Sequence, residues 1–286
     1  MRHRAITGAT LIVATVLVSF STGADLVLID DFGDGQMLSV QSAGGGGVVA
    51  GGNQVLAGGA LGGEREFLIE LAGSVPAGNG AILAANAHGS SLLNLNTDAS
   101  TEATVTIIWD GVDSDMGLDA IGLRGGGPTG VDLSGGGMNS TITLGVVFDD
   151  LPIRLTFTAW TDAEHSSQGT LVLPGLILGP TAVFELEFSK FTVLGAAGGA
   201  DFSNIGALAL TFDVTGLSAG TDLRVDFIGT GVVLPNPIAL QAGLVGLTAV
   251  ALSRRRVPWR RTRRRTAARY APPGRAMCVA QTTSDS

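Results

Sequence analysis

Strict two-residue alternation of apolar and polar side chains recurs along this chain, and it admits little besides a β-protein. Phe67, Ile69 and Leu71 alternate with Glu66 and Glu70, and Val105, Ile107 and Trp109 with Thr104, Thr106 and Asp110. Ile142, Leu144, Val146 and Phe148 alternate with Thr141 and Thr143, and Phe184, Leu186 and Phe188 with Glu185 and Glu187. Leu208, Leu210, Phe212 and Val214 oppose Thr211 and Asp213, while Leu223, Val225 and Phe227 oppose Arg224 and Asp226. A period of two places one set on a packed face and the other in water. No convincing amphipathic helix separates these stretches, so the reading is all-β, an antiparallel jelly-roll-like β-sandwich.

Glycine, 43 of 286 residues, is about twice its usual share of roughly 7%, as tight turns between short strands require. No fixed repeat period is visible, which argues against a solenoid. The only cysteine, Cys278, lies far outside the alternating region, so packing rather than disulfides must stabilise the body. Between positions 25 and 231 the chain carries 24 acidic residues against Arg65, Arg124, Arg154, Lys190 and Arg224. Such a body repels nucleic acid and attracts divalent cations.

The two ends differ from the middle. Residues 1–24 combine Arg2, His3 and Arg4, an apolar run from Leu11 to Val18, and Thr22-Gly23-Ala24, the layout of a cleavable secretory signal. Residues 25–231 form the β-sandwich body. Then come Leu234-Pro235-Asn236-Pro237, an uncharged span at 238–253, and Arg254-Arg255-Arg256. As a helix that span measures about 24 Å, a short transmembrane helix whose arginine end stays cytoplasmic. Residues 257–286, rich in Arg, Pro, Ala, Thr and Ser with no periodic apolar face, read as a disordered basic tail.

In these three ordered parts, residues 232–256 resemble the PEP-CTERM sorting signal. Asn236 stands where that family most often has glutamate, and the chain runs 30 residues past the arginines. The resemblance implies an exosortase-type membrane enzyme as partner, recognition at Pro235, Asn236 and Pro237, a membrane-anchored precursor, and release to the cell surface or a biofilm matrix. A plain single-span anchor is the alternative. Within the body, Leu28-Ile29-Asp30-Asp31-Phe32, Gly63-Glu64-Arg65 and Val225-Asp226-Phe227 are diffusely similar to galactose-binding-like jelly rolls. That likeness implies carbohydrate binding and assigns no residues.

Two places in the body invite a ligand. Asp113, Asp115 and Asp119, with the Gly117 carbonyl, approximate the spacing of a loop that wraps oxygen ligands around calcium, without the glutamate and helices of an EF-hand. A solvated acidic hairpin is the alternative. In Ile153–Trp160, Ile153, Leu155, Phe157 and Ala159 form the core face. Trp160 falls on the other face with Arg154, Thr156 and Thr158, as in a site where an indole stacks on a sugar and polar neighbours hold its hydroxyls. A strand-end tryptophan covered by a loop is the competing reading.

No catalytic set stands out. His88 and His165 lie in turn-like stretches, and no zinc-ligand spacing occurs. Gly45, Gly47 and Ala50 mimic a dinucleotide fingerprint with no helix to follow. The expected function is therefore a non-enzymatic, exported surface or matrix protein with a structural or carbohydrate-binding sandwich, exopolysaccharide being the expected partner. A polysaccharide-active jelly-roll enzyme and a passive adhesion protein remain as alternatives.

Overall fold

The computed structural model describes residues 26–231 apart from Ser114 and residues 217–219. The expected signal segment, the Pro235-Asn236-Pro237 motif, the span at 238–253 and the basic tail lie outside the described residues. Within them, no helix is long and apolar enough to cross a membrane.

Among the described residues fourteen strands are formed: β1 (Val27–Asp30), β2 (Gln36–Gln41), β3 (Val49–Leu56), β4 (Glu64–Leu71), β5 (Gly80–Ala85), β6 (Leu93–Thr97) and β7 (Ala103–Trp109), then β8 (Thr141–Asp149), β9 (Ile153–Trp160), β10 (Ser166–Leu173), β11 (Ile177–Glu187), β12 (Thr192–Val193), β13 (Ala207–Asp213) and β14 (Asp222–Thr230). Only short 3-10 turns interrupt them. The first sheet runs β11-β8-β14-β6-β5-β2, with β1 also on β14, and the second runs β12-β10-β9-β13-β7-β4-β3. Every strand pairing is antiparallel. The chain passes repeatedly from one sheet to the other, so neither sheet is completed by a local stretch.

One apolar cluster fills the space between the sheets. Phe67, Ile107, Trp109, Phe157, Leu210 and Phe212 of the second sheet meet Leu83, Leu95, Leu144, Val146 and Val225 of the first. The chain is thus an all-β sandwich of two antiparallel sheets. The alternation in β4, β7, β9 and β13 points inward as expected, because each inward residue removes apolar surface from water.

Two expected core aromatics do not join this layer. Register shifts in β14, opposite β8, break the period of two on both strands. A bulge adds a residue to one strand and turns the following side chains over. Phe148 then lies half-buried, with the Arg224 guanidinium 5.5 Å from its ring centroid. Phe227 lies half-buried across Gly145, where any side chain would collide with the ring, and Ile228 takes the core position. Phe188 also departs from expectation. It starts a 3-10 turn after β11 and stacks on Phe202 with ring centroids 4.1 Å apart.

A polar knot sits within the core. Arg65, on the inward face of β4, is 0% exposed. Its Nη1 donates to Asp30 Oδ1 and Oδ2 at 2.8 and 3.0 Å, Nε to Gln36 Oε1 at 2.8 Å, and Nη2 to the Asp34 carbonyl at 2.7 Å. Trp109 Nε1 donates to Asp30 Oδ2 at 2.9 Å, and the rings of Phe32 and Phe67 flank the guanidinium. Phe32 adopts φ 51°, while its N–H donates to Asp30 Oδ1. Trp109 is a core residue, as its register predicts.

Candidate functional site

The outer face of the second sheet carries the polar half of each alternating strand. Antiparallel register aligns Arg154, Asp213, Thr104 and Glu70 in one row across β9, β13, β7 and β4. The next row holds Thr170, Thr156, Thr211 and Thr106, and the Thr106 and Thr211 hydroxyls lie 3.2 Å apart. Gln168 and Thr158 follow in a third row. These side chains line an open depression of about 350 Å³ that includes Thr104, Thr156, Thr158, Gln168, Thr211 and Asp213. A second one of about 280 Å³, beside Arg154 and Val172, shares Asp213 and Thr215 with it. Arg154 is exposed and makes no ion pair among the described residues.

Trp160 is on this face, as its register predicts, but it is half-buried at the far end of β9, between Ser166 and Ala207. Six residue steps separate it from Arg154, roughly 20 Å at about 3.3 Å each. The expected pairing of indole and cation around one sugar is therefore not formed. Strand register alone decides this, since residues i and i+6 share a face without being neighbours.

The segment from 110 to 138 folds across the Trp160 end of the face. Leu123 N–H donates to the Gly206 carbonyl at 2.9 Å, Arg124 Nη2 to the Thr161 carbonyl at 2.8 Å, and Val131 and Ile205 pair as a bridge. Gly122 packs so closely on the Asp110 carbonyl that a Cβ would overlap it, and its carbonyl carbon would lie only 3.0 Å away. Gly122→Ala is accordingly expected to cost about 1–3 kcal/mol in urea unfolding, because the segment must lift to admit one methyl.

Beneath this segment lie acids that the alternation alone assigns to water. Glu64 and Glu66 of β4 and Asp110 after β7 are 3%, 0% and 1% exposed. Candidate ligand oxygens of Glu64, Glu66 and Asp113 all fall within 4.8 Å of one another. Burial, followed by the charges of Asp110, Asp113, Glu64 and Asp115, pushes the Glu66 carboxyl up to about 8. Burial likewise raises Asp110 to about 6, and it raises Glu64 with help from Asp113 and Asp115.

The three aspartates expected around calcium are divided by the structure. Asp113 joins Glu64 and Glu66. Asp115 Oδ1 accepts from Gly117 N at 2.7 Å, while Asp115 N donates to Asp113 Oδ1 at 3.0 Å. Asp119 closes a turn by accepting from Ile121 N at 3.0 Å, and its own N–H donates to Asp110 Oδ2 at 2.8 Å. Asp119 thus braces the segment. Glu64 and Glu66 were missed because their alternation looks like any wet strand face; the available signal was two such acids beside an acidic loop.

The other titratable pair, His165 Nδ1 with Asp162 Oδ1 at 2.8 Å, closes a half-exposed turn from Asp162 to His165.

No protein-family model matches the chain, and no curated protein matches it. Among solved structures, a family 11 carbohydrate-binding module from Clostridium thermocellum, in complex with a β-1,3-1,4-mixed-linked tetrasaccharide, is similar at 12% identity and TM-score 0.34. That match covers 74% of this chain and 98% of the module. A solution structure of CtCBM11 is similar at 13% identity and TM-score 0.35, covering 75% of this chain and 99% of its own. PfGH50B is similar at 11% identity and TM-score 0.30, over 54% of this chain and 22% of that one. Values of this size assign neither family nor ligand.

Proposed function

We propose that this chain is an exported surface or matrix protein whose sandwich holds polysaccharide across the outer face of the second sheet. The observation that carries the reading is the threonine-rich face itself, an open depression of about 350 Å³ lined by Thr156, Thr158, Thr211, Gln168 and Asp213, with Arg154, in no ion pair among the described residues, at the adjoining depression. Sugar hydroxyls both donate and accept, and threonine hydroxyls, an amide, a carboxylate and a guanidinium answer both needs. An open depression suits a polymer lying across it better than a small molecule that must be enclosed. The reading is one of binding rather than hydrolysis, because the clustered acids lie under the 110–138 segment instead of opening onto the face.

Export rests on the charged, apolar and small-residue order of positions 1–24. Sorting by an exosortase-type enzyme rests on Leu234-Pro235-Asn236-Pro237, the apolar span and the arginines. Both are sequence arguments. The jelly-roll topology belongs to the same proposal.

Binding is tested by retention of the protein on immobilised or insoluble polysaccharides. A variant carrying Arg154→Ala, Thr156→Val and Thr211→Val keeps the strand shape and removes polar groups worth about 0.5–1.5 kcal/mol each. Retention is expected to fall about tenfold or more, with melting nearly unchanged. Equal retention by this variant and the parent overturns the reading. Trp160→Ala is expected to weaken only long glycans, because a short one cannot reach both ends of β9.

A further inference from the structure

We propose that Glu64, Glu66 and Asp113 bind a calcium-class divalent cation, with Asp110 and Asp115 beside it, and that the ion clamps the covering segment onto the second sheet. Glu64 and Glu66 are two residues apart on β4, so both project from its outer face. Asp113 descends from the covering segment to bring its carboxylate within 4.8 Å of theirs. Oxygens bound to one calcium at about 2.3–2.6 Å lie at most about 5 Å apart, so the observed spacing needs no rearrangement of the backbone.

The second observation concerns hydrogen bonds. Glu66 is 0% exposed, and neither of its oxygens has a hydrogen-bond partner. Glu64 Oε1 and Asp110 Oδ1 are also buried and without a partner. Leaving a buried acceptor unsatisfied is costly, and for a carboxylate more so.

Among the described residues, no basic side chain supplies the missing partner. Arg65, the nearest in sequence, turns to the opposite face of β4 and is taken up by Asp30, Gln36 and the Asp34 carbonyl. Arg124 reaches the Thr161 carbonyl. Among the described residues, the charges that raise Glu64 and Glu66 are those of neighbouring acids. A cation therefore offers these oxygens what no described residue around them does.

The donor set selects the ion. All the groups are carboxylates, with no histidine or cysteine among them, which favours a hard cation over zinc. Calcium accepts six to eight oxygens in flexible geometry, and Glu66 can offer both of its own. Magnesium demands a tighter octahedron and gives up its water reluctantly.

The experiment uses the full chain, stripped with chelator and then titrated with calcium chloride. One calcium per chain is expected by elemental analysis after dialysis against trace calcium. The melting temperature is expected to rise by about 5–10 °C at a calcium concentration a hundred times the dissociation constant. Magnesium at the same concentration is expected to give a smaller shift.

Glu66→Gln preserves shape, and in chelator it should melt at or above the parent because its amide carries no charge and can donate to the neighbouring carboxylates. Its calcium affinity should fall at least tenfold. Asp113→Asn, on the covering segment, should lower the affinity without touching the sheet. Asp119→Asn should keep the full calcium response. Identical melting of the parent in calcium and in chelator overturns the proposal. So does a Glu66→Gln variant that folds and responds to calcium as the parent does, or a shift produced by zinc alone.

Discussion

Arg65→Met is expected to destabilise the sandwich by about 3–5 kcal/mol, read from urea unfolding at neutral pH. The substitution nearly conserves length and apolar volume, so the loss is electrostatic rather than a cavity. It leaves the Asp30 carboxylate, 1% exposed, with Trp109 Nε1 and the Phe32 N–H as its remaining donors and with no cation. An uncompensated buried charge costs about this much. Gln36 Oε1 and the Asp34 carbonyl lose their guanidinium donors in the same step.

Removing both charges should behave differently. In Arg65→Met/Asp30→Leu no buried ion remains, and well-packed apolar replacements of an ion pair are often neutral or stabilising. Much of the single-variant loss is expected to return. What does not return belongs to the Trp109 indole N–H and the Phe32 amide, both left without Asp30. If Arg65→Met costs under about 1 kcal/mol, the knot is not the buried network described above.

Phe157→Ala is expected to lose about 3–5 kcal/mol, while Thr156→Val, one residue before it on the same strand, should shift stability by under about 0.5 kcal/mol. Phe157 is fully buried between the sheets, and Ala207, Leu210 and Phe212 on β13 are also fully buried. Thr156 faces the opposite way, in the row of threonines. The contrast between neighbours tests the orientation of β9, because a one-residue slip in register would exchange their effects. Comparable losses for both variants would mean that the outer face is also packed.

Alternation made the second sheet legible wherever each strand kept its period. The inward sets of β4, β7, β9 and β13 are those that the sequence proposes, including Trp109 at the end of its strand. In contrast, β2, β3, β5 and β6 gave little signal. Stretches such as Val-Ala-Gly-Gly-Asn-Gln in β3 and Leu-Asn-Leu-Asn-Thr in β6 have little apolar contrast or are too short to count. They are strands because their neighbours need hydrogen-bond partners, which is a property of the sheet. Phe148 and Phe227 were misplaced for a related reason: a bulge depends on the pairing of two strands far apart in sequence.

The candidate sites show the same division. That Trp160 shares a face with Arg154 follows from counting by two. That the two do not meet follows from the length of a strand. The acidic loop singled out Asp113, whereas Glu66, which the fold brings beside it, was read as an ordinary wet position. Glu66 is buried because the 110–138 segment crosses the sheet above it.

The order of side chains along each strand determined which faces are apolar, and hence that two sheets must pack together, because the period of two is a local property of an extended backbone. Only the tertiary structure decided which polar residues leave water: Arg65 within the core, and Glu64, Glu66 and Asp110 beneath a crossing segment. Burial depends on what the rest of the chain places overhead, and no local pattern encodes that.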